Sequence, residues 1–279
     1  MKIIVTGCAG RIGRYVVRDL CQAGHEVTGI DIVPGARHLQ VDLTDAGQVY
    51  GAFAGAEAVA HIGAWANAGI VPDTRTYGDN VSATYNVFQA CADLGISRVV
   101  SASSAQVYGF FGRAPEYAPV DENHPVRPLN SYAASKIAGE QAATYFHDRF
   151  GLQIASFRFM GVRTPAEMPP QIAAMQQDPG IDAGLLWTRT DTRDAATACR
   201  LALESTGELH GIYNITGPEI VIDMPVGELL SRHCPATELR ADGSGRRSPL
   251  SCDRAAQDFD YRPVFSWTTH HQHPEPCAT

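Results

Sequence analysis

The chain has 279 residues, which is enough for one large α/β domain or for one domain with a smaller companion. Hydrophobic residues make up 44% of it, so a sizeable core can form, and a net charge of −8 argues against nucleic acid or an anionic membrane as the main partner. The seven cysteines are scattered, odd in number and without a CxxC pair, which indicates reduced thiols in a cytoplasmic protein. No apolar run reaches the ~18 residues of a membrane helix, and the N-terminus lacks the pattern of a secretory signal.

The first motif is a glycine-rich turn between a strand and a helix. Residues 2–6 form a short apolar run that predicts a buried parallel strand, and an amphipathic helix is predicted over 11–23. Between them stand Gly7, Gly10 and Gly13 in a GxxGxxG pattern. Glycines in this context allow a tight turn and a close approach of the backbone to a pyrophosphate at the helix N-terminus. The pattern favours a dinucleotide site over a purely structural turn.

An acidic residue follows the second predicted strand. That strand covers 25–30 and ends on Asp31, at about the distance from the glycines where a ribose 2′-hydroxyl would lie. A carboxylate accepts a hydrogen bond from that hydroxyl and repels a 2′-phosphate, so we expect NAD rather than NADP. Arg11 and Arg37 are nearby cations that would soften this preference. The alternative interpretation of Asp31 is a turn-forming residue.

Strands and helices continue to alternate up to about residue 160. A helix N-cap is expected at Thr44 or Asp45, and His61 is expected to be buried structure rather than a base. This alternation predicts a doubly wound parallel sheet. The further predicted strands cover 38–41, 56–61, 97–102 and 152–159, and the predicted helix between them covers 79–94.

A Tyr and a Lys one helical turn apart follow the fifth strand. The composition after Tyr132 predicts a helix up to about residue 149, on which Tyr132 and Lys136 share a face. An ammonium beside a phenol lowers the pKa of the phenol and makes it an acid/base for an alcohol oxygen. Hydroxyls of Ser103 and Ser104 at the end of the fifth strand can point into the same cleft. An exposed helix that carries Tyr and Lys by chance is the alternative.

Beyond residue 160 the periodicity weakens. The tail over 242–279 is rich in Arg, Ser and Pro. Its His270, His271 and His273 are better explained by a frayed terminus than by a metal, so no metal site is predicted. The elements predicted here are helices over 170–177, 194–204 and 226–232 and strands over 185–188 and 211–216.

Together these residues resemble the extended short-chain dehydrogenase/reductase family, in its NAD-dependent epimerase/dehydratase branch, from residue 1 to about 265. The resemblance implies a Rossmann domain over 1–162 and a small substrate-binding region over 163–279, with 211–216 returning to the main sheet. The motifs that carry it are residues 6–13, Asp31, Asp42-Leu43, residues 61–64, Asn80-Val81, residues 103–109, Tyr132 with Lys136, and residues 190–196.

The resemblance also implies roles. Tyr132 would be the acid/base, Lys136 would lower its pKa and bind the nicotinamide ribose, and Ser104 would hydrogen-bond the reacting oxygen. Hydride would pass between a carbinol carbon and nicotinamide C4 while Tyr132 takes or gives the hydroxyl proton. The implied cofactor contacts are Gly7, Gly10 and Gly13 at the pyrophosphate with Arg11 and Ile12 beside them, Asp31 at the ribose, Asp42 and Leu43 at the adenine, and Ile62, Gly63, Ala64 and Asn80 along the cleft.

The chain departs from the family pattern at the substrate end. Gly161 stands where members that act on nucleotide sugars carry Asn, and only about 25 residues separate Pro165 from Thr190. Ala105 and Gln106 stand where a dehydratase would place Asp-Glu, so we expect no dehydration. These departures indicate a small substrate region. The predicted substrate contacts are Trp65, Ala105, Gln106, Met160, Gly161 and Arg163.

Three functions remain open on the sequence. We expect an NAD-dependent dehydrogenase of a free sugar, a uronic acid or a similar polyol. The second possibility is a nucleotide-sugar epimerase, in which hydride leaves and returns without net redox change. The third is a non-catalytic NAD-sensing protein, which would not need Ser104, Tyr132 and Lys136. A homodimer is expected from the family, through helices that resemble residues 79–94 and 131–149.

Overall fold

The computed structural model describes residues 1–266, and a parallel sheet forms its centre. Seven of the strands form this sheet in the order β3-β2-β1-β4-β5-β7-β8, with every neighbouring pair parallel. The strands are β1 (Lys2–Thr6), β2 (Glu26–Asp31), β3 (Leu39–Gln40), β4 (Ala58–His61), β5 (Arg98–Ser104), β6 (Tyr117–Ala118), β7 (Gln153–Phe159), β8 (Gly211–Ile215) and β9 (Glu238–Leu239).

Helices cover both faces of the sheet. The helices are α1 (Gly13–Gln22), α2 (Ala46–Phe53), α3 (Asp73–Leu94), α4 (Ser131–Phe150), α5 (Met168–Gln177), α6 (Thr192–Glu204), α7 (Val226–His233) and α8 (Asp253–Phe259). In β1, Ile3 and Val5 point into one hydrophobic cluster with α1, α6 and α8, whereas Ile4 points into the opposite cluster with α2, α3 and α4. The predicted doubly wound fold is therefore confirmed.

The strand order reverses between β1 and β4, and this reversal positions the site. From β1 the chain passes outward to β2 and β3, and then returns to place β4 on the other side of β1. The connections on the two sides therefore diverge and leave a crevice at the carboxyl ends of β1 and β4. Ligands of open α/β sheets bind in such a crevice.

The part of the chain after β7 adds a second, smaller core. Trp187 is fully buried there among Met168, Ile220 and Leu229, separate from the two clusters that flank the sheet. β6 pairs with β9 in a small two-stranded sheet at this end, while β8 lies beside β7 in the main sheet. A compact C-terminal region thus faces the crevice, although the predicted division at residue 162 stays a prediction.

The structure corrects several predicted elements. α3 begins at Asp73 rather than at 79, because Pro72 precedes its first turn and Gly78 is accommodated inside the helix. The predicted strand over 185–188 is wrong: Leu186 and Trp187 have φ angles of 50° and 55°, in the left-handed region, after a 3-10 helix over Pro179–Leu185. An apolar run that is buried on all sides resembles a strand in sequence, whatever its backbone conformation.

The predicted tail over 242–279 is also more ordered than expected. α8 lies within it, and the Tyr261 hydroxyl donates to the Thr216 carbonyl at 3.1 Å. The cluster of His270, His271 and His273 lies outside the described residues. Within residues 1–266 there is no group of three or more potential metal ligands and no helix that is long and apolar enough to cross a membrane.

Candidate active site

The glycine turn is built so that only glycine fits at two of its positions. Gly7 follows β1 with φ of +65°, and a Cβ there would lie 2.6 Å from the Cα of Gly63. A Cβ on Gly13 would lie 2.1 Å from the Gly7 carbonyl oxygen. The turn is therefore packed against the end of β4 and against the first turn of α1, with no side chain in between. Such a bare backbone can approach a pyrophosphate closely.

Asp31 ties the end of β2 to this turn. Its carboxylate accepts hydrogen bonds from the backbone N–H groups of Ala9 at 3.0 Å and Val33 at 3.2 Å. The turn-forming role considered for Asp31 is thus present, and the side chain also lines the cavity described below. Arg11, which was expected to soften the preference for NAD, forms an ion pair with Glu167 at 2.8 Å.

A buried polar chain holds the end of β4 in place. The Thr6 hydroxyl accepts hydrogen bonds from the N–H groups of Ile62 and Gly63 at 3.0 and 2.9 Å, and its oxygen lies 2.9 Å from His61 Nδ1. His61 Nε2 lies 3.1 Å from the Thr84 hydroxyl. Burial, with a contribution from the charge of Lys136, lowers the pKa of His61 to about 3, so the imidazole is neutral. His61 is structural, as expected from the sequence.

Asn80 connects the loop after β4 to helix α4. Its side chain accepts from the Trp65 N–H at 2.8 Å and donates to the Trp65 carbonyl at 3.1 Å and to the Ser135 hydroxyl at 3.1 Å. Ser135 in turn donates to the Tyr132 carbonyl at 2.7 Å. Asn80 therefore fixes two walls of the cavity relative to each other.

Ser104, Tyr132 and Lys136 come together at the carboxyl end of β5. Tyr132 and Lys136 lie one turn apart at the start of α4, whose first turn is capped by Asn130. All three side chains are at least nine-tenths buried, and Ser104 lies close enough to Tyr132 to act on its pKa. Lys136 Nζ donates to the Ala102 carbonyl at 2.7 Å and lies 5.6 Å from the centre of the Tyr132 ring.

The electrostatics of this trio differ from the sequence-based expectation. Burial raises the pKa of Tyr132, and the hydrogen bond with Ser104 opposes that rise without cancelling it. The expected lowering by Lys136 is not found, because the ammonium points to a backbone carbonyl. Burial lowers the pKa of Lys136 to about 8, and the charge of Glu140 opposes this shift.

A buried ion pair behind the trio was missed by the sequence reasoning. Glu140, one turn after Lys136, accepts from the guanidinium of Arg158 at 2.7 and 2.8 Å and from the Ser103 hydroxyl at 2.6 Å. Arg158 also donates to the Tyr108 hydroxyl at 3.0 Å. The four-residue spacing after Lys136 was a signal that could have identified Glu140, because it places the carboxylate on the same helix face.

One cavity of about 640 Å³ brings the predicted site residues together. Its volume is in the range of ligand and cofactor sites. Gly13 is the exception among the predicted residues, since it shapes the turn without lining the cavity. The predicted residues that line it are Gly7, Gly10, Arg11, Ile12, Asp31, Asp42, Leu43, Ile62, Gly63, Ala64, Trp65, Asn80, Ser104, Ala105, Gln106, Tyr132, Lys136, Met160, Gly161 and Arg163.

The substrate end of the cavity has walls that the sequence did not predict. Phe110 and Phe111 line it from the segment after β5, and Gly184 and Leu185 line it from the C-terminal region. Gln106 donates to Asn67, which also lines the cavity, at 3.3 Å and accepts from Asn130, the N-cap of α4, at 3.1 Å. Phe110, Phe111, Gly184 and Leu185 lie in loops or in a 3-10 helix, where no α or β periodicity marks them.

Comparison with known proteins identifies the family. Residues 3–216 match the NAD dependent epimerase/dehydratase family. The chain belongs to this family. Because the match covers most of the chain, it includes the glycine turn, the Tyr132 helix and the strand that precedes Gly161.

Relatives within the epimerase/dehydratase family carry different activities. The chain is 31% identical over 173 residues to a UDP-glucose 4-epimerase of Corynebacterium glutamicum, covering 58% of this chain and 51% of that protein. It is 32% identical over 178 residues to an L-arabinose 1-dehydrogenase (NAD(P)(+)) of Haloferax volcanii, covering 60% of this chain and 69% of that protein. The chain thus matches only about half of the length of the first relative.

A solved structure shows the same fold over nearly the whole chain. A short-chain dehydrogenase/reductase superfamily protein from Agrobacterium tumefaciens, solved with bound NAD, superimposes with a TM-score of 0.76 at 24% identity. The match covers 98% of this chain and 95% of that one. It confirms the Rossmann fold with its small C-terminal region.

Proposed function

We propose that the protein is an NAD-dependent dehydrogenase that oxidises a secondary alcohol of a free sugar, a uronic acid or a similar polyol. The observation that carries this proposal is the placement of Ser104, Tyr132 and Lys136 in the same cavity as the glycine turn. The dinucleotide fits this cavity because Gly7 and Gly10 leave a bare backbone at one end and Lys136 stands at the other. The family itself is NAD dependent.

The chain's own residues hold the substrate oxygen and move its proton. Ser104 and Tyr132 hold the reacting hydroxyl between them, since both side chains line the same cavity at the carboxyl end of β5. The Tyr132 oxygen accepts the hydroxyl proton during oxidation and returns it during reduction. Lys136, whose ammonium lies 5.6 Å from the centre of the Tyr132 ring, stands where it can bind the nicotinamide ribose. When bound, the nicotinamide supplies the hydride acceptor or donor.

Loss of the Tyr132 hydroxyl tests this mechanism. Tyr132→Phe should lower the rate of NADH formation by about 10²- to 10⁴-fold, the usual contribution of a general acid/base, in a screen of aldoses and uronic acids. NAD binding should persist. Tyr145→Phe is the matched control because Tyr145 lies on the same helix, is 48% exposed and does not line the cavity. Unchanged turnover in Tyr132→Phe would remove the proposed mechanism and leave a non-catalytic NAD-binding protein.

The second candidate is a nucleotide-sugar epimerase, favoured by the 31% identity to the UDP-glucose 4-epimerase of C. glutamicum. An epimerase recycles its hydride and has no need to release the cofactor. Denaturation of the purified protein should then liberate NAD or NADH at one per chain. A reversible site that is empty after purification supports the dehydrogenase. Gly161 and the short segment between Pro165 and Thr190 favour the dehydrogenase, because Gly161 lacks the Asn side chain of members that act on nucleotide sugars and the short segment indicates a small substrate region.

We further propose a preference for NAD over NADP, based on the Asp31 carboxylate in the cavity wall. Asp31→Ala should reduce the ratio of kcat/KM with NAD to that with NADP, because the carboxylate no longer repels a 2′-phosphate. If this ratio is the same in Asp31→Ala and in the wild type, Asp31 does not discriminate between NAD and NADP.

We also propose a homodimer in the cytoplasm. The cytoplasmic location is supported by the six cysteines within residues 1–266, which are all free thiols. The dimer is supported by α3 and α4, which pack together and leave Tyr85 and Tyr145 44% and 48% exposed on their outer surface. Sedimentation velocity should give a dimer that Tyr85→Asp with Tyr145→Asp converts to a monomer. Ile181→Asp, at a side chain 60% exposed elsewhere, should leave the dimer intact. A monomeric wild type would contradict the dimer.

A further inference from the structure

Three arginines and one lysine line the cavity, and Arg163 is the arginine among them without an ion pair within residues 1–266. Arg11 pairs with Glu167 at 2.8 Å, and Arg75 pairs with Asp79 at 2.9 Å. The lysine, Lys136, donates to the carbonyl of Ala102 at 2.7 Å and belongs to the proposed catalytic trio.

Neutral groups hold Arg163 in place. Its Nε donates to the Gln171 side-chain oxygen at 2.8 Å and its Nη1 to the carbonyl of Val162 at 2.9 Å. These contacts orient the guanidinium without an ion pair. Burial and the nearby charges of Arg189 and Arg11 lower the pKa of Arg163, and the charges of Glu167 and Asp182 oppose that shift without cancelling it.

A second guanidinium stands behind Gly161 with an unused donor. Arg189 is 4% exposed and its terminal nitrogens bind Asp182, yet its Nε has no hydrogen-bond partner within residues 1–266. A Cβ on Gly161 would lie only 3.6 Å from this Nε, and Gly161 lines the cavity. Arg189 does not itself line the cavity, so it places a positive charge behind Gly161 without contacting the cavity directly.

We propose that Arg163 binds a carboxylate on the substrate, so that the enzyme acts on a sugar acid rather than on a neutral sugar. The inference deepens the proposed dehydrogenase function and rests on it. A planar guanidinium is suited to a carboxylate, and the anion relieves the repulsion between Arg163 and Arg189. The chain as a whole carries a net charge of −8, so the positive end of the cavity is a local feature. The carboxylate takes no part in the chemistry and positions the sugar ring.

Matched pairs of substrates test the proposal. D-galacturonate and D-galactose differ only at C6, as do D-glucuronate and D-glucose. The wild type should show a higher kcat/KM for the acid of a pair than for its hexose. Arg163→Gln should lower the ratio of these two kcat/KM values by about 10- to 100-fold, which is the usual contribution of a hydrogen bond to a charged group. Arg232→Gln is the control for net charge, because Arg232 lies on α7 with its side chain 58% exposed. Its ratio should equal that of the wild type.

Three outcomes would overturn the proposal. The first is a ratio that stays constant in Arg163→Gln. The second is an NADH affinity, measured by fluorescence titration, that falls by the same factor, since the guanidinium would then bind the cofactor pyrophosphate. The third is interconversion of UDP-glucose and UDP-galactose that depends on Arg163, with no activity on free acids, since the anion would then be a diphosphate.

Binding without turnover separates this inference from the proposed function. Calorimetry on Tyr132→Phe in the presence of NADH should show binding of the acid of a pair and weaker binding of its hexose. Acid binding that depends on Arg163, together with no NADH formation by the wild type, would retain the carboxylate site and reject the dehydrogenase. Absence of acid binding in both the wild type and Tyr132→Phe would reject the carboxylate site.

Discussion

At the residue scale, the reactivity of Tyr132 is set by two opposing influences. Burial raises the pKa of the phenol, and the hydrogen bond with Ser104 lowers it. A base for alcohol oxidation is most useful when its pKa is close to the working pH. Ser104 therefore shifts the Tyr132 pKa toward that range, in addition to its proposed contact with the substrate.

The pH dependence of oxidation should reveal this effect. Ser104→Ala removes the hydrogen bond that lowers the Tyr132 pKa, so the pKa rises further and the acidic limb of kcat against pH moves to higher pH. Below that limb the rate falls about tenfold for each unit of the pKa rise. Ser103→Ala is the neighbouring control, since Ser103 donates to Glu140 at 2.6 Å and should leave the limb in place. Equal profiles for Ser104→Ala and the wild type would contradict the assigned role.

A second prediction concerns the glycine turn. In Gly13→Ala the new Cβ would lie 2.1 Å from the Gly7 carbonyl oxygen, which is backbone and cannot rotate away. The turn must open, and we expect the Kd for NADH to rise at least about tenfold. Gly51→Ala in α2 is the matched control because its Cβ meets nothing within 4 Å. It should keep the Kd and stabilise the fold by about 0.5–1 kcal/mol. Equal affinities in the two variants would show that the turn does not form the cofactor site.

The sequence predicted residues of this site better than it predicted their contacts. The one-turn spacing placed Tyr132 and Lys136 on one face, as the structure shows. It did not indicate that Lys136 points to the carbonyl of Ala102, because that carbonyl belongs to a strand 34 positions earlier in the chain. Burial of Tyr132 is likewise a tertiary effect that a local pattern does not carry.

At the scale of elements, α4 joins the proposed catalytic side chains to the sheet. Tyr132, Lys136 and Glu140 follow one another at intervals of one turn, and Glu140 reaches Arg158 on β7 and Ser103 on β5. The helix is thus fixed at its inner face by an ion pair with only 4% and 6% exposure of the two side chains. This anchor keeps Tyr132 in register with Ser104.

Loss of the Glu140 charge should destabilise the protein strongly. Glu140→Gln leaves the Arg158 guanidinium buried without a carboxylate, and we expect the free energy of unfolding in urea to fall by about 3–5 kcal/mol. Glu228→Gln in α7 makes the same chemical change in an exposed pair with Arg232 and should cost less than about 1 kcal/mol. Similar costs for the two variants would mean that the buried pair does not anchor α4.

The elements that the sequence predicted well are those with a repeating pattern. The strands of the Rossmann half and helix α4 have one, and their predicted limits differ from the observed limits by only a few residues. β6 and β9 contain two residues each, and they pair across about 120 positions of the chain. Short elements of this kind depend on distant partners, so their own residues carry no periodic signal.

At the scale of the whole molecule, the C-terminal segment closes back onto helix α6. The Asp194 carboxylate accepts hydrogen bonds from the N–H groups of Val264 and Phe265 at 3.1 and 3.0 Å. Arg193 lies over the Phe265 ring at 3.7 Å, and Tyr261 is buried beside them. These contacts bridge about 70 positions of the chain and hold the last described residues against the Rossmann half.

Asp194 should make the stability of this closed arrangement depend on pH. Burial raises the pKa of Asp194 to about 7 in the folded protein, from an ordinary value of 3.8. Protonated Asp194 therefore contributes stability that is fully present below about pH 4 and is lost as the pH rises through about 7, because the unfolded chain releases the proton first. The variant Asp194→Asn has no such group. The free energy of unfolding of the wild type, relative to that of Asp194→Asn, should thus fall between about pH 4 and pH 7.

Urea unfolding at several pH values measures this difference. Asp253→Asn is the control, because its carboxylate is 64% exposed in a surface pair with Arg247. The stability difference between Asp253→Asn and the wild type should stay nearly constant over the same range. If the difference in the free energy of unfolding between the wild type and Asp194→Asn is also constant over this pH range, the Asp194 carboxylate is ionised throughout it. Its two backbone hydrogen bonds would then outweigh the cost of its burial, and the closure of the C-terminal segment would be independent of pH.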